Sequence, residues 1–160
     1  MPEKLSNNLV GTSGEYYVCA ELCRRGFLAL LTPKNNPLFD VIVTNSDGSK
    51  TVSIQVKTRS PQNKQGWKLG IDITKNQRNE NLFVVLVNLE DEGQMPEFYI
   101  YEYDLLSETV KRQYDDYLSK PRRDGSKRKA VGFRWHDTKN FTEDDVKRRN
   151  NWTPIVTKLA

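Results

Sequence analysis

Residues 82–89, Leu-Phe-Val-Val-Leu-Val-Asn-Leu, form a near-continuous apolar run with polar residues on both sides. A short run rich in β-branched residues is typical of a strand that is covered on both faces. Such a strand needs one packed layer above it and another below it. We therefore expect a layered α/β domain in which residues 82–89 are the central strand.

Shorter patterns on either side of this run predict the remaining elements. Helices are expected at 7–25, ending at Gly26, at 75–81, at 104–118 with Asp104 as its cap, and after the Thr142–Asp145 capping box. Strands are expected at 27–31, 39–44, 51–58 and 98–103, with a short strand or extension at 67–73. Trp152 and Ile155 are expected to dock back on the core. This order predicts helices around a mixed sheet.

The 160 residues are enough for a single domain, with a core at about 8–103 and a basic C-terminal elaboration at about 104–160. No apolar run approaches the roughly 20 residues of a membrane span. The N-terminal residues contain no signal-peptide core. We therefore expect a cytoplasmic protein with no membrane partner.

Charge is distributed unevenly along the chain. The net charge is +4, yet residues 111–149 alone carry 13 Lys and Arg against 7 Asp and Glu. A basic loop at 120–129 contains Arg122, Arg123, Lys127, Arg128 and Lys129. Such a loop can bind phosphates by releasing counterions, which makes DNA the expected partner. The alternative is a solvated loop with no partner.

Three polar residues lie on predicted strands, where charge is not expected without a reason. Gln55 and Lys57 are two residues apart and therefore project from the same face. The Asn45–Gly48 turn would place Asp40 on the neighbouring strand. The Asp40 carboxylate, the Gln55 amide oxygen and the Val56 carbonyl are all oxygen ligands of the kind that Mg²⁺ binds, and Mn²⁺ can take its place. Lys57 would then position the attacking water or stabilise the phosphorane.

The pattern Asp40…Gln55-Val56-Lys57, with fourteen intervening residues, resembles the PD-(D/E)XK nuclease superfamily, and most of all its Gln-x-Lys branch. The segment 11–15, Gly-Thr-Ser-Gly-Glu, resembles the first helix of Holliday-junction resolvases in that superfamily. The resemblance covers about residues 8–90. It implies a restriction-endonuclease-like αβββαβ core, and it implies that Glu15 completes the metal site.

Two departures from that pattern affect the chemistry. The usual proline before the aspartate is replaced, since Pro37 lies three positions ahead of Asp40. Gln55 stands where an Asp or Glu is usual, so the site carries one negative charge fewer. The expected function is a Mg²⁺-dependent DNA endonuclease. The alternatives are a catalytically weak or inactive nuclease-fold module that binds nucleic acid, and an RNA-directed nuclease.

Each candidate residue also has a structural interpretation. Glu15 resembles any solvated helix glutamate, Asp40 can cap a turn, and Gln55 and Lys57 can be the polar face of an edge strand. Arg59 and Gln77 are weaker candidates for nucleic-acid contacts.

Several other residues are interpreted mainly as structural. His136 is a possible general base but is more often structural beside an aromatic residue. Core packing is preferred over base stacking for Tyr99, Tyr101 and Tyr103. Cys19 and Cys23 are expected on a packed helix face, without zinc. Cutting two strands with one small domain favours a homodimer, although no interface is visible in the sequence.

Overall fold

The computed structural model describes residues 3–160. Its main sheet has five strands in the order β1-β2-β3-β5-β6. These strands are β1 Leu28–Leu31, β2 Val41–Thr44, β3 Thr51–Arg59, β5 Leu82–Asn88 and β6 Glu97–Glu102. β3 and β5 are parallel, whereas the other neighbours are antiparallel. The sheet is therefore mixed, and helices cover both of its faces, which confirms the predicted α/β class.

All seven residues of β5 are buried, as the apolar run predicts. The prediction that this strand is central is wrong, because β3 is the middle strand and β5 lies beside it. Both are interior strands with two neighbours each. An apolar run indicates that a strand is buried on both faces. It does not indicate which of the interior positions in the sheet the strand takes.

The connection from β3 to β5 contains a strand and a short helix. β4, Gly66–Gly70, leaves the main sheet and pairs with β7, Phe133–Asp137, which the sequence patterns did not predict. A 3-10 helix, Ile71–Thr74, follows β4. The helix predicted at 75–81 is wrong. The side chains of Asn76 and Asn79 accept from backbone N–H groups two residues on, and such bonds compete with helix formation.

Four α-helices complete the fold: α1 Asn7–Cys23, α2 Tyr103–Ser119, α3 Glu143–Lys147 and α4 Thr153–Leu159. α1 stops before Gly26, whose φ of 91° favours glycine. The capping box of Thr142 and Asp145 at α3 is confirmed. Asp104 does not cap α2; its carboxylate instead accepts from the backbone N–H groups of the 75–81 loop.

The two faces of the sheet bury different clusters. α1 and α4 cover one face, where Val52, Ile54 and Val56 of β3 meet Leu22 and Ile155. The β4–β7 pair and α2 cover the opposite face. That second cluster contains Trp67, Leu69, Val84, Leu86, Tyr99, Tyr101, Tyr103, Leu106 and Val110. The three tyrosines are therefore core residues, and Trp152 and Ile155 dock on the core as expected.

The two cysteines of α1 differ in their surroundings. Cys19 is half-buried, and burial, together with the nearby Cys23 and Glu15, raises the pKa of its thiol to about 11. Cys23 is exposed, so the expectation that both pack against the core is wrong for Cys23. The helical spacing puts them on neighbouring but different parts of the helix surface.

Within residues 3–160, no helix has the length and apolar character needed to cross a membrane.

Candidate functional site

The site begins where β2 stops pairing with β3. β2 starts at Val41, which pairs with Ile54, and the preceding residue, Asp40, donates its backbone N–H to the Ile54 carbonyl at 2.9 Å. β3 continues to Arg59 without β2 alongside it. The Asp40 carboxylate replaces the missing strand, because its Oδ2 accepts from the Val56 backbone N–H at 2.8 Å. A carboxylate is therefore held against an otherwise open strand edge.

The Val56 carbonyl lies on the same side as this carboxylate. In a strand, the N–H and C=O of one residue point to the same neighbour. The Val56 N–H points to Asp40, and the Ile54 carbonyl accepts from Asp40 N at 2.9 Å on that side. The Val56 carbonyl therefore also faces the open edge, where it is available as a ligand beside Asp40.

Gln55 and Lys57 project from the opposite face of β3 to its buried valines. Both are half-buried, and their neighbours in β5 are Val84 and Leu86. The Gln55 Nε2 donates to the Leu38 carbonyl at 2.9 Å. Because that bond uses the amide nitrogen, the amide oxygen is directed away from Leu38 and can serve as an acceptor or ligand.

Glu15 lies on α1, which covers the other face of the sheet. It follows Gly14, where α1 comes so close to β3 that an added Cβ would lie 1.8 Å from Thr58 Oγ1. Its side chain is 19% exposed and forms an ion pair with Lys34 at 3.3 Å. Lys34 Nζ also donates to Thr12 Oγ1 at 2.7 Å. Glu15 forms no direct hydrogen bond to Asp40 or Gln55 in the described residues.

Lys34 is a residue that sequence reasoning missed. It belongs to the β1–β2 connection, which ends at Asp40, and it is the one cation between Thr32 and Asp40. That position is the only signal in the sequence. Nothing in the spacing indicates that its side chain crosses to α1 and neutralises Glu15.

The donor set at this edge fits a hard divalent cation. Asp40 offers a carboxylate, Gln55 an amide oxygen and Val56 a backbone carbonyl, and the Glu15 carboxylate on α1 is a further candidate; all are oxygen ligands of the kind that Mg²⁺ takes. Across residues 3–160 there is no group of three or more His, Cys, Asp and Glu that could hold a metal ion. A cation bound here would therefore need Gln55 and Val56 as well as the carboxylates.

Arg59 lies on the same strand face as Lys57 but is held by the protein. Its guanidinium lies 4.3 Å from the centroid of the Trp67 ring, and its Nε donates to Asn88 Oδ1 at 2.7 Å. Burial lowers the pKa of this guanidinium from its ordinary value. These contacts give Arg59 a packing role at the end of β3.

The other candidates for nucleic-acid contacts lie on two separate loops. Gln77 is exposed, and its backbone N–H donates to Asp104 Oδ1 at 2.6 Å. Four of the five candidate residues in the 120–129 loop are exposed, namely Arg122, Arg123, Lys127 and Lys129. Arg128 is half-buried, with its guanidinium 4.3 Å from the Tyr117 ring. In the described part of the chain, none of these side chains bonds to Glu15, Asp40, Gln55 or Lys57.

His136 is buried in a polar network away from solvent. The Tyr101 hydroxyl donates to Asp145 Oδ1 at 2.8 Å, so it accepts from His136 Nε2 at 3.1 Å. Burial alone would raise the pKa of Asp145, but hydrogen bonds from His136, Thr142 and Tyr101 hold it well below its ordinary value. With 1% of its surface exposed, His136 has the placement of a structural residue.

No protein-family model matches this chain, and no curated protein matches it. Among solved structures, the chain is similar to the bacterial homing endonuclease I-Ssp6803I, at 16% identity and a TM-score of 0.49. The alignment covers 96% of this chain and 94% of that chain. Likeness at this level assigns no residue of the site, so the functional inference rests on the geometry of Asp40, Gln55, Val56, Lys57 and Glu15.

Proposed function

We propose that the protein is a metal-dependent endonuclease that hydrolyses phosphodiester bonds in DNA. The observation that carries the proposal is the hydrogen bond between Asp40 Oδ2 and the Val56 N–H, at the point where β2 ends. It holds a carboxylate beside the Val56 carbonyl, and Gln55 lies between Ile54 and Val56, both of which bond to Asp40. Lys57 projects from the same strand face as Gln55. An acidic ligand and a lysine at one open strand edge support phosphodiester hydrolysis.

The residues have separate roles in this proposal. Asp40 is the principal ligand for Mg²⁺ or Mn²⁺, and Glu15, the Gln55 side-chain oxygen and the Val56 carbonyl complete the protein's share of the shell. When bound, the cation lowers the pKa of a water molecule and neutralises charge that develops on the phosphate. Lys57 orients the attacking water through its ammonium group, or stabilises the negative charge on the phosphorane.

Lys34 sets a condition on this chemistry. Two carboxylates, Glu15 and Asp40, are balanced by two ammonium groups, Lys34 and Lys57, so the side chains of the site sum to zero charge. A cation gains less from a neutral site than from a negative one. The ion pair with Lys34 uses Glu15 Oε2 and therefore weakens the attraction of Glu15 for a metal.

The same balance favours a second function, a nuclease-fold module that binds nucleic acid without cutting it. Gln55 is neutral where an Asp or Glu would carry a negative charge, and Lys34 already forms an ion pair with Glu15. In that case, Lys34 and Lys57 would contact phosphate directly. The two functions differ in one observable property, which is cleavage that depends on Mg²⁺ or Mn²⁺.

The test is cleavage of plasmid DNA with Mg²⁺ or Mn²⁺, compared with EDTA, for the wild type and two variants. Asp40→Asn retains an oxygen that can accept from the Val56 N–H but removes the negative charge. Lys57→Met retains the aliphatic stem and removes the ammonium. Each variant is expected to lose at least about 100-fold in rate. Lys111→Met, on the exposed surface of α2, is the control and should cut like the wild type.

Three outcomes separate the possibilities. Cleavage in EDTA, or cleavage that survives both Asp40→Asn and Lys57→Met in folded protein, would contradict the proposed site. Binding of DNA without cleavage in either metal supports the module. A parallel set of RNA substrates identifies an RNA-directed nuclease, since the phosphodiester chemistry at Asp40 is common to both polymers.

A further inference from the structure

A groove lies between the second half of α2 and the outer side of β7, and the candidate metal site uses none of its residues. Its volume is about 750 Å³, within the range of about 300–1,000 Å³ typical of ligand sites. The lining of the α2–β7 groove, as we name it, combines polar and aliphatic side chains with Tyr114, Tyr117, Phe133, Arg134, Trp135 and Lys139. Four of these six residues are aromatic and the other two are cationic.

Two aromatic rings and two guanidinium groups form a stack along one side of the groove. The Arg134 guanidinium lies 3.5 Å from the centroid of the Tyr114 ring. The rings of Tyr114 and Tyr117 stack with centroids 6.1 Å apart and planes inclined by 23°. Arg128, from the basic loop, covers Tyr117 at 4.3 Å. The result is a strip of two stacked tyrosine rings with a guanidinium group at each end.

The strip is anchored by the backbone but remains accessible. The Tyr114 hydroxyl accepts from the Val131 N–H at 2.8 Å, and Arg134 Nη1 donates to the Val131 and Phe133 carbonyls. Tyr117 is nevertheless 48% exposed, and Trp135 is half-buried. Rigid, partly exposed rings can stack on a ligand with little loss of side-chain entropy.

The charge around the groove is positive. Within the lining, Asp116 is paired with Lys120 at 2.7 Å, and Asp137 with Lys139 at 3.7 Å. Arg134 adds a cation that has no acidic partner in the described residues. Beyond the rim, residues 121–129 contribute five Lys and Arg against one Asp. The ligand that complements this surface is flat, aromatic and negatively charged along its length.

We propose that the α2–β7 groove binds single-stranded nucleic acid, with unpaired bases stacked on Trp135 and on the Arg128 guanidinium that covers Tyr117, and with the backbone phosphates facing the basic loop. Stacking platforms with basic edges bind single strands without regard to sequence. A duplex keeps its bases stacked inside and cannot offer them to these rings. The inference rests on the proposed function in one respect, namely that nucleic acid is the class of ligand.

The fluorescence of Trp135 can report whether a ligand is bound in the groove. The chain has three tryptophans, and Trp67 and Trp152 are 2% and 4% exposed. A base that stacks in the groove should therefore quench the emission of Trp135 and leave the other two unchanged. The titration uses an oligo-dT of about 12 nucleotides, in EDTA, so that binding is measured without any cleavage. A duplex of equal length is titrated in parallel.

The expected result is quenching by the oligo-dT but not by the duplex, with the quench absent in Trp135→Phe. Tyr117→Ala should weaken binding about tenfold. The matched control is Tyr16→Ala, a 62% exposed tyrosine on α1, which should bind like the wild type. Lys139→Gln, a change at an exposed residue, should reduce the slope of the logarithm of the binding constant against the logarithm of salt concentration by about the value of one phosphate contact.

Binding of oligo-dT without a change in emission, equal affinity in Tyr117→Ala, equal quenching by the duplex, or no binding at all would each overturn the inference. If Tyr117→Ala does not fold, Lys139→Gln and the emission of Trp135 still decide the question. If Trp135 is quenched but the protein never cuts DNA, the proposed binding in the groove stands and the proposed nuclease function is wrong. If cleavage depends on Asp40 but Trp135 is not quenched, the nuclease function stands and the binding in the groove is wrong.

Discussion

Replacing Gly14 by alanine is expected to destabilise the protein, whereas the same change at Gly11 is expected to stabilise it. Both glycines lie in the first half of α1, and neither has a positive φ. An alanine Cβ at Gly14 would lie 1.8 Å from Thr58 Oγ1, 2.9 Å from Thr58 Cβ and 3.0 Å from Thr58 Cγ2. A Cβ at Gly11 meets nothing within 4 Å.

The two effects have opposite signs and can be given magnitudes. Alanine gains about 1 kcal/mol over glycine in a helix interior, and Gly11→Ala should show this gain alone. Overpacking costs about 1–3 kcal/mol, and a contact as short as 1.8 Å places Gly14→Ala near the upper value. After the helix gain, Gly14→Ala should lose about 2 kcal/mol. The two variants should therefore differ by about 3 kcal/mol.

Urea unfolding followed by far-UV circular dichroism measures this difference, and thermal melts should show the variants about 6–12 °C apart. A Thr58→Ala background removes Oγ1 and Cγ2, so the cost of Gly14→Ala should fall by about 1 kcal/mol or more there. Equal stabilities for Gly11→Ala and Gly14→Ala, or an unchanged cost in the Thr58→Ala background, would refute the proposed contact between α1 and β3.

Three further predictions follow from single contacts. Lys34→Gln should leave Glu15 unpaired and tighten Mn²⁺ binding, measured by titration calorimetry, by up to about fivefold, the value of an exposed ion pair; weaker binding would show that Lys34 does not compete with the metal. Asp40→Ala should lower the free energy of unfolding by about 1–3 kcal/mol, because the Val56 N–H loses its acceptor, whereas Asp40→Asn should lose clearly less; equal urea midpoints would argue against that bond. Asp145→Asn should cost about 2 kcal/mol at pH 7. The pKa of Asp145 in the folded protein is depressed, so this stabilisation is present at pH values above the ordinary pKa of 3.8 and is lost as the pH falls below it. The unfolding curves of the wild type and Asp145→Asn should therefore converge in acid and not at neutral pH.

Much of the framework was predictable from local pattern. The run at 82–89 predicted a strand buried on both faces, and the positions of Gly26 and Thr142 predicted the end of α1 and the start of α3. These signals are visible because each one depends on residues within a few positions along the chain. The pairing of β2 and β3 through the Asn45–Gly48 turn is local in the same sense.

The candidate site divides in the same way. The strand period put Gln55 and Lys57 on one face, and the turn put Asp40 beside them, so this part followed from the sequence. The Lys34–Glu15 ion pair joins positions 19 residues apart and depends on how α1 lies across the sheet. That crossing brings Gly14 close to Thr58, a contact that no periodicity reveals.

The sequence by itself determined which residues alternate into the core and which polar residues stay on a strand. Only the tertiary structure decided that β4 leaves the main sheet to pair with β7, that Arg59 packs on Trp67, and that Arg134 and Tyr114 line a groove. Local patterns are set by backbone geometry over one or two turns of chain. Contacts between distant segments are chosen by the packing of whole layers, in which many weak interactions are satisfied together.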